Sequence, residues 1–124
     1  MARRIEELIV WQLGNELRRK VYEITATSPA KYDRRLCDQL NDAASSVTRN
    51  IAEGFGRYRH KEFAQFLSIA RGSLFELIDH LHDGVARGYW TEDALQEHRS
   101  LCNRTIAAIT HLIRYLKSSH TSAP

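Results

Sequence analysis

The chain has 124 residues, with 18 Lys or Arg against 15 Asp or Glu and a formal charge of +3. That length fits one domain able to bury about two thirds of its unfolded surface, so no disulfide or metal staple is required. A charge this small does not by itself point to nucleic acid, and any electrostatic inference must rest on where the charges lie.

Cys37 and Cys102 form neither a disulfide framework nor a CxxC or Cys/His zinc spacing, which makes a reducing cytoplasm the simplest compartment. Glu6 and Glu7 stand where a secretory apolar core would begin. No uninterrupted apolar run approaches the roughly 20 residues needed to span a bilayer, so neither export nor a membrane partner is expected.

Four helices with short connections account for nearly the whole chain. In the first, spanning about residues 6–26, Val10, Leu13, Leu17, Val21 and Ile24 recur at helical spacing. Ser28-Pro29 ends it, because proline disfavours a helical residue before it. The second, about 33–56, is carried by Leu36, Leu40, Ala43, Val47 and Ile51, with Asp33 as N-cap and Gly56 as stop. The third, about 60–87, is carried by Phe63, Leu67, Ala70, Leu74, Leu77 and Leu81 and stopped by Gly88. The fourth, about 91–117, has Thr91 as cap and Glu92 and Asp93 at its positive N-terminus, followed by a frayed tail over 118–124. Short turns favour antiparallel neighbours, so the expected fold is an all-α, up-down-up-down four-helix bundle in a single domain.

That topology gathers charge. The N-terminus, the turn between helices two and three, and the end of helix four share one pole, which brings together Arg3, Arg4, Arg57, Arg59, His60, Lys61, Arg114 and Lys117. Asp79, Asp83, Glu92, Asp93 and Glu97 belong to the other. Arg99, Arg104, Arg114 and Lys117 follow or flank the last acids of the chain with none after Glu97 to balance them. The basic pole reads either as solvated helix-end charge or as a surface for phosphate backbones of RNA or DNA, with little sequence selectivity. Arg57, Arg59, His60, Lys61, Arg114 and Lys117 are its candidate contacts.

Other residues carry structural readings. In a hairpin turning near Tyr58, residues whose numbers sum to about 116 face each other, which sets Ala43, Ala44 and Ser45 opposite Gly72 and Ser73. Helix-interior glycine costs about 1 kcal/mol relative to alanine, so Gly72 is read as a packing residue. A different face of helix three also stays apolar, with Phe66, Ile69, Phe75 and Ile78 outside the main stripe; it is either an oligomer interface or an unusually wide core contact. Asn50 and Glu53 interrupt the apolar pattern of helix two and are expected to make structural hydrogen bonds that anchor the turn, Glu53 pairing with Arg57 one turn later.

Catalytic readings are weaker. His80 and His82 in Asp79-His80-Leu81-His82-Asp83 point about 200° apart around a helix, so they do not share a metal. The Glu-x-x-His motif of di-iron bundles, haem attachment motifs, phosphate loops and convincing nucleophile–base sets do not occur in the sequence. No catalytic residue, cofactor or metal is assigned.

Two long segments are similar to a known family. Residues 39–54, ending in Asn50-Ile51-Ala52-Glu53-Gly54, and residues 61–77, containing Gly72-Ser73-Leu74-Phe75-Glu76-Leu77, resemble the bacterial four-helix-bundle proteins encoded in intervening sequences of 23S ribosomal RNA genes. Trp11 and Tyr22 also fall where that family places aromatics. The resemblance implies a homopentamer of bundles and a distant likeness to retroelement accessory proteins that associate with nucleic acid and a reverse transcriptase. It implies no settled enzymatic activity; the alternative is a scaffold for another protein. This chain departs from the family at Thr48-Arg49, where relatives often carry proline, and at Arg59, where many carry a serine or threonine cap. An uncapped third helix is therefore expected.

Overall fold

A computed structural model describes residues 2–119, the side chain of Ser119 excepted. The apolar periodicities become four helices, α1 (Ile9–Thr25), α2 (Arg34–Phe55), α3 (His60–Ala86) and α4 (Gln96–Ser119). Short 3-10 turns at Ile5–Glu7, Ala30–Tyr32 and Asp93–Leu95 precede α1, α2 and α4. Each helix packs on the next and α4 returns to α1, which closes the up-down-up-down bundle.

Helix ends differ from expectation where local hydrogen bonds compete. The first helix does not run from residue 6, because Leu8 is extended (φ −78, ψ 127) and separates the Ile5–Glu7 turn from α1. Glu7 folds back on that turn, its carboxylate accepting the amides of Arg3 at 2.6 Å and Arg4 at 3.0 Å. Thr91 accepts the amide of Ala94 at 3.2 Å, and so caps the 3-10 turn rather than α4 itself. Asp33 caps α2 as expected, accepting the Leu36 amide at 3.1 Å. The helix continues through Ser118 and Ser119, where fraying was expected; the rest of that tail lies outside the described residues.

Glycine ends α3 by a defined mechanism. Gly88 takes φ +80, its amide donates to the Val85 carbonyl and that of Tyr89 to Gly84, both at 2.9 Å. These two bonds satisfy orphan carbonyls in a Schellman arrangement. Gly56, by contrast, ends α2 in right-handed geometry at φ −72.

The core runs the length of the bundle. Leu17, Val21, Leu40, Val47, Ile51, Leu67, Leu74, Leu77, Leu81, Leu95 and Ile109 are almost completely buried. Each such side chain stabilises the fold by about 1.5–3 kcal/mol relative to leaving it in water.

Close packing falls on glycines other than the expected one. Gly72 is exposed and a Cβ there meets nothing within 4 Å, so it is not the packing residue of the hairpin. That role belongs to Gly54, where a Cβ would lie 2.8 Å from both Phe63 Cδ1 and Phe66 Cβ. Phe55 adds an edge-to-face contact with Phe63, their centroids 6.2 Å apart. At the far end of the bundle, Trp90 lies across Gly84, where a Cβ would fall 2.2 Å from the indole, and its Nε1 donates to Leu81 O at 3.1 Å.

Two expectations follow. Gly72→Ala should stabilise the folded chain by up to about 1 kcal/mol through helix propensity. Gly54→Ala should destabilise it by about 1–2 kcal/mol, because overpacking outweighs the same propensity gain. Denaturant unfolding of both variants checks the opposite signs.

His98 supplies a pH-dependent contribution. It is 7% exposed, its Nδ1 has no partner among the described residues, and its Nε2 lies 3.4 Å from the Lys20 carbonyl. Burial holds its pKa below the usual histidine value, opposed by the weaker raising effect of that carbonyl. The unfolded chain therefore takes up a proton that the folded chain resists, so this contribution is present above an unfolded pKa of about 6.5 and is lost as pH falls below it. Between pH 7.5 and 5.5, denaturant unfolding should show a larger stability loss in wild type than in His98→Leu.

Candidate nucleic-acid interface

The expected basic residues meet at one end of the bundle but occupy different environments. Arg57, in the α2–α3 turn, is committed: its Nη2 is 2.9 Å from Glu53 Oε2 and its guanidinium lies 5.1 Å over the Phe66 ring. Arg59 is the extended residue before α3 (φ −101, ψ 129) and its side chain makes no cap bond, so α3 begins uncapped as its sequence implied. His60 is half-buried, whereas Lys61, Arg114 and Lys117 are exposed.

Lys61 and Lys117 line one groove between α3 and α4 together with Ala64, Gln65 and Ser68. Lys61, Gln65 and Ser68 recur at i, i+4 and i+7, which places them on one helix face. Sequence reasoning overlooked Gln65 and Ser68, although that spacing was legible. Farther along the α3–α4 seam Arg71 Nη1 donates to Thr110 Oγ1 at 3.1 Å. Arg114 follows Thr110 by one turn and shares its face.

The opposite pole is largely neutralised from within. Glu97 pairs with Lys20 at 2.6 Å and Asp83 with Arg87 at 3.2 Å. Arg99 donates twice to Glu92, at 2.7 and 2.8 Å, so it is not the unbalanced cation that the sequence implied. Those hydrogen bonds hold the carboxyls of Glu92 and Glu97 below the usual glutamate value. There Tyr89 donates to Asp33 Oδ2 at 2.7 Å, which lowers the Asp33 carboxyl and ties the α3–α4 turn to the cap of α2.

The polar pair of α2 divides. Asn50 is half-buried against α3: its Nδ2 donates to Ser46 O at 2.8 Å and to Ser46 Oγ at 3.0 Å, and Ser46 Oγ meets Ser73 Oγ at 2.8 Å. Asn50 thus serves the middle of the hairpin and does not contact the turn. The hydrogen bond of Ser73 across the hairpin is to Ser46, one residue beyond Ser45. Glu53 is exposed and makes the expected pair with Arg57.

The additional apolar residues of α3 do not form one face. Ile69 precedes Ser73 by one turn and lies on the α2 flank with Phe66, whose Cβ borders Gly54. Phe75 and Ile78 follow Arg71 by one and two turns and lie on the α4 flank. Ile69 and Phe75 are 52% and 58% exposed, whereas Phe66 and Ile78 are half-buried. At about 100° per residue, Ile69 and Phe75 stand about 120° to either side of the core direction, with Gly72 between them.

Both thiols are poor nucleophiles here. Burial pushes Cys102 up to about 12, and it raises Cys37, whose Sγ donates to Ala30 O at 3.1 Å. Among the described residues no helix is long and apolar enough to cross a membrane.

Because Asn50 joins Ser46 and, through it, Ser73, Asn50→Ala should cost about 1 kcal/mol, the usual net worth of a half-buried hydrogen-bond set. Thermal unfolding of Asn50→Ala beside Ser73→Ala checks this, and the double variant should lose less than the sum of the two.

Comparison with curated proteins finds no match. The profile of the 23S rRNA-intervening sequence protein family matches residues 6–111, which takes in α1, α2, α3 and most of α4. The chain belongs to the 23S rRNA-intervening sequence protein family.

Proposed function

We propose that this chain is a non-enzymatic cytoplasmic bundle that assembles with copies of itself, as a pentameric ring, and associates with RNA or DNA through its basic pole. The observation that carries the reading is the difference in pairing between the poles. At one end Glu97, Asp83 and Glu92 are matched by Lys20, Arg87 and Arg99. At the other, Arg59, Lys61, Arg114 and Lys117 form no ion pair with a described residue. Unpaired cations exchange condensed counterions for phosphates, which gives sequence-tolerant and salt-sensitive binding.

Assembly is supported by the two flanks of α3. A cyclic ring needs two different faces on each subunit, and Ile69 and Phe75 offer one on each side. The ring order of five rests on the resemblance to the family. Repetition of the pole in a ring would convert weak contacts into a multivalent one. The exposed Ile69 and Phe75 also support a second reading, a scaffold whose target is another protein.

Sedimentation should report an oligomer for wild type, and Phe75→Glu or Ile69→Glu should yield smaller, still helical species. An equally helical monomer in wild type contradicts assembly. In titrations of labelled RNA and DNA, affinity should fall steeply with salt and should be lost in an Arg57→Glu, Arg59→Glu, Lys61→Glu variant of unchanged oligomeric state. Equal binding by both proteins moves the reading to the protein scaffold.

A further inference from the structure

Among the described residues, surface grooves between helices differ in the kind of charge they carry. One, lined by Asp33, Arg35, Leu36, Gln39, Asp83 and Arg87, carries two acids and two bases. A second, lined by Glu16, Lys20, Glu97, Ser100, Leu101 and Arg104, carries the same balance. Their charges neutralise one another through the Arg87–Asp83 and Lys20–Glu97 pairs. A third, lined by Lys61, Ala64, Gln65, Ser68 and Lys117, holds two lysines and no carboxylate.

We propose that this α3–α4 groove, rather than the tip of the pole, is the seat for the phosphodiester backbone of a nucleic-acid strand. The inference rests on the proposed association with nucleic acid and locates it. Lys61 and Lys117 stand on two helices, so they address a group lying between them from both sides. Gln65 and Ser68 add an amide and a hydroxyl able to donate to phosphate oxygens. None of these four side chains has a hydrogen bond or ion pair to a described residue, so binding displaces only water and counterions.

Beyond the groove's lining, the α3–α4 seam carries further cations. Arg71 lies ten residues beyond Lys61, about 15 Å along the axis, and one of its guanidinium nitrogens is held by Thr110 at 3.1 Å. Arg114 stands one turn from Thr110 on the same face. Cations thus flank a line running down the α3–α4 seam from the groove. The tip differs: Arg57 is neutralised by Glu53 at 2.9 Å and stacked over Phe66, so recruiting it means breaking an existing pair.

The test compares groove with tip. Binding of a labelled single-stranded oligonucleotide is measured by anisotropy over a salt series for wild type, Lys61→Gln/Lys117→Gln, Ser68→Glu and Arg57→Gln/Arg59→Gln. Arg104→Gln, in a self-neutralised groove, serves as the control, and helicity and oligomeric state are verified for each protein. The slope of log affinity against log salt should shrink by about 1.4 for each groove engaged when both lysines are removed, since each single-strand phosphate contact contributes about 0.7. Ser68→Glu should weaken binding at least tenfold at low salt, while Arg104→Gln should leave the slope unchanged. Inorganic phosphate at matched ionic strength should not displace the oligonucleotide; if it does, the groove is a site for the small anion and the proposal is overturned. An unchanged slope in the lysine variant, with binding lost in the Arg57/Arg59 variant, overturns the groove and leaves the basic-pole reading standing. No binding by wild type at low salt overturns both.

Discussion

The structure depends on how closely α2 can approach α3. Gly54 has no side chain where Phe63 and Phe66 press against α2, and a single methyl would collide with both at 2.8 Å. Two turns earlier, Ser46 spans the same seam to Ser73 at 2.8 Å and is itself held by Asn50. Dispersion and burial reward close approach without fixing register, whereas hydrogen bonds fix it through direction. The Asn-Ile-Ala-Glu-Gly segment therefore serves both tasks: Asn50 holds the serine that bridges to α3, Ile51 fills the core, and Gly54 permits contact.

A fixed α2–α3 hairpin determines where the remaining surfaces point. It directs Ile69 toward one flank of α3 and Phe75 toward the other, leaving exposed Gly72 between them. It also carries Arg59 and Lys61 to the end where α4 finishes, so Lys61 reaches the groove shared with Lys117. The net charge of +3 conceals this arrangement, because pairing decides which cations remain available. Lys20, Arg87 and Arg99 are consumed by acids, and Arg57 by Glu53.

The bundle was legible because helical periodicity and short connections leave few alternatives. Leu67, Leu74, Leu77 and Leu81 fall on one stripe, and that stripe is the core. Features set by small register differences were less legible. A sum rule for hairpin partners gives height along the helices but not rotation about them, and so assigned packing to Gly72, which lies on the exposed side of α3. Treating Phe66, Ile69, Phe75 and Ile78 as one face ignored that nine residues amount to about half a turn of rotation, which puts Phe66 and Phe75 on opposite sides. Ion pairing was partly readable: the Glu53–Arg57 pair is four residues apart, whereas the Arg99–Glu92 pair spans seven and depends on how the 3-10 turn enters α4.

Because it sets the geometry of the rest, the α2–α3 seam should be the most strongly held part of the bundle. Native-state hydrogen exchange measures this directly, since the slowest amides report the last region to open. The slowest exchange is expected in α2 around Val47–Ile51 and in α3 around Leu67–Leu74, with α1 opening earlier. Persistent protection in α1 and α4 after α2 and α3 have exchanged would contradict it.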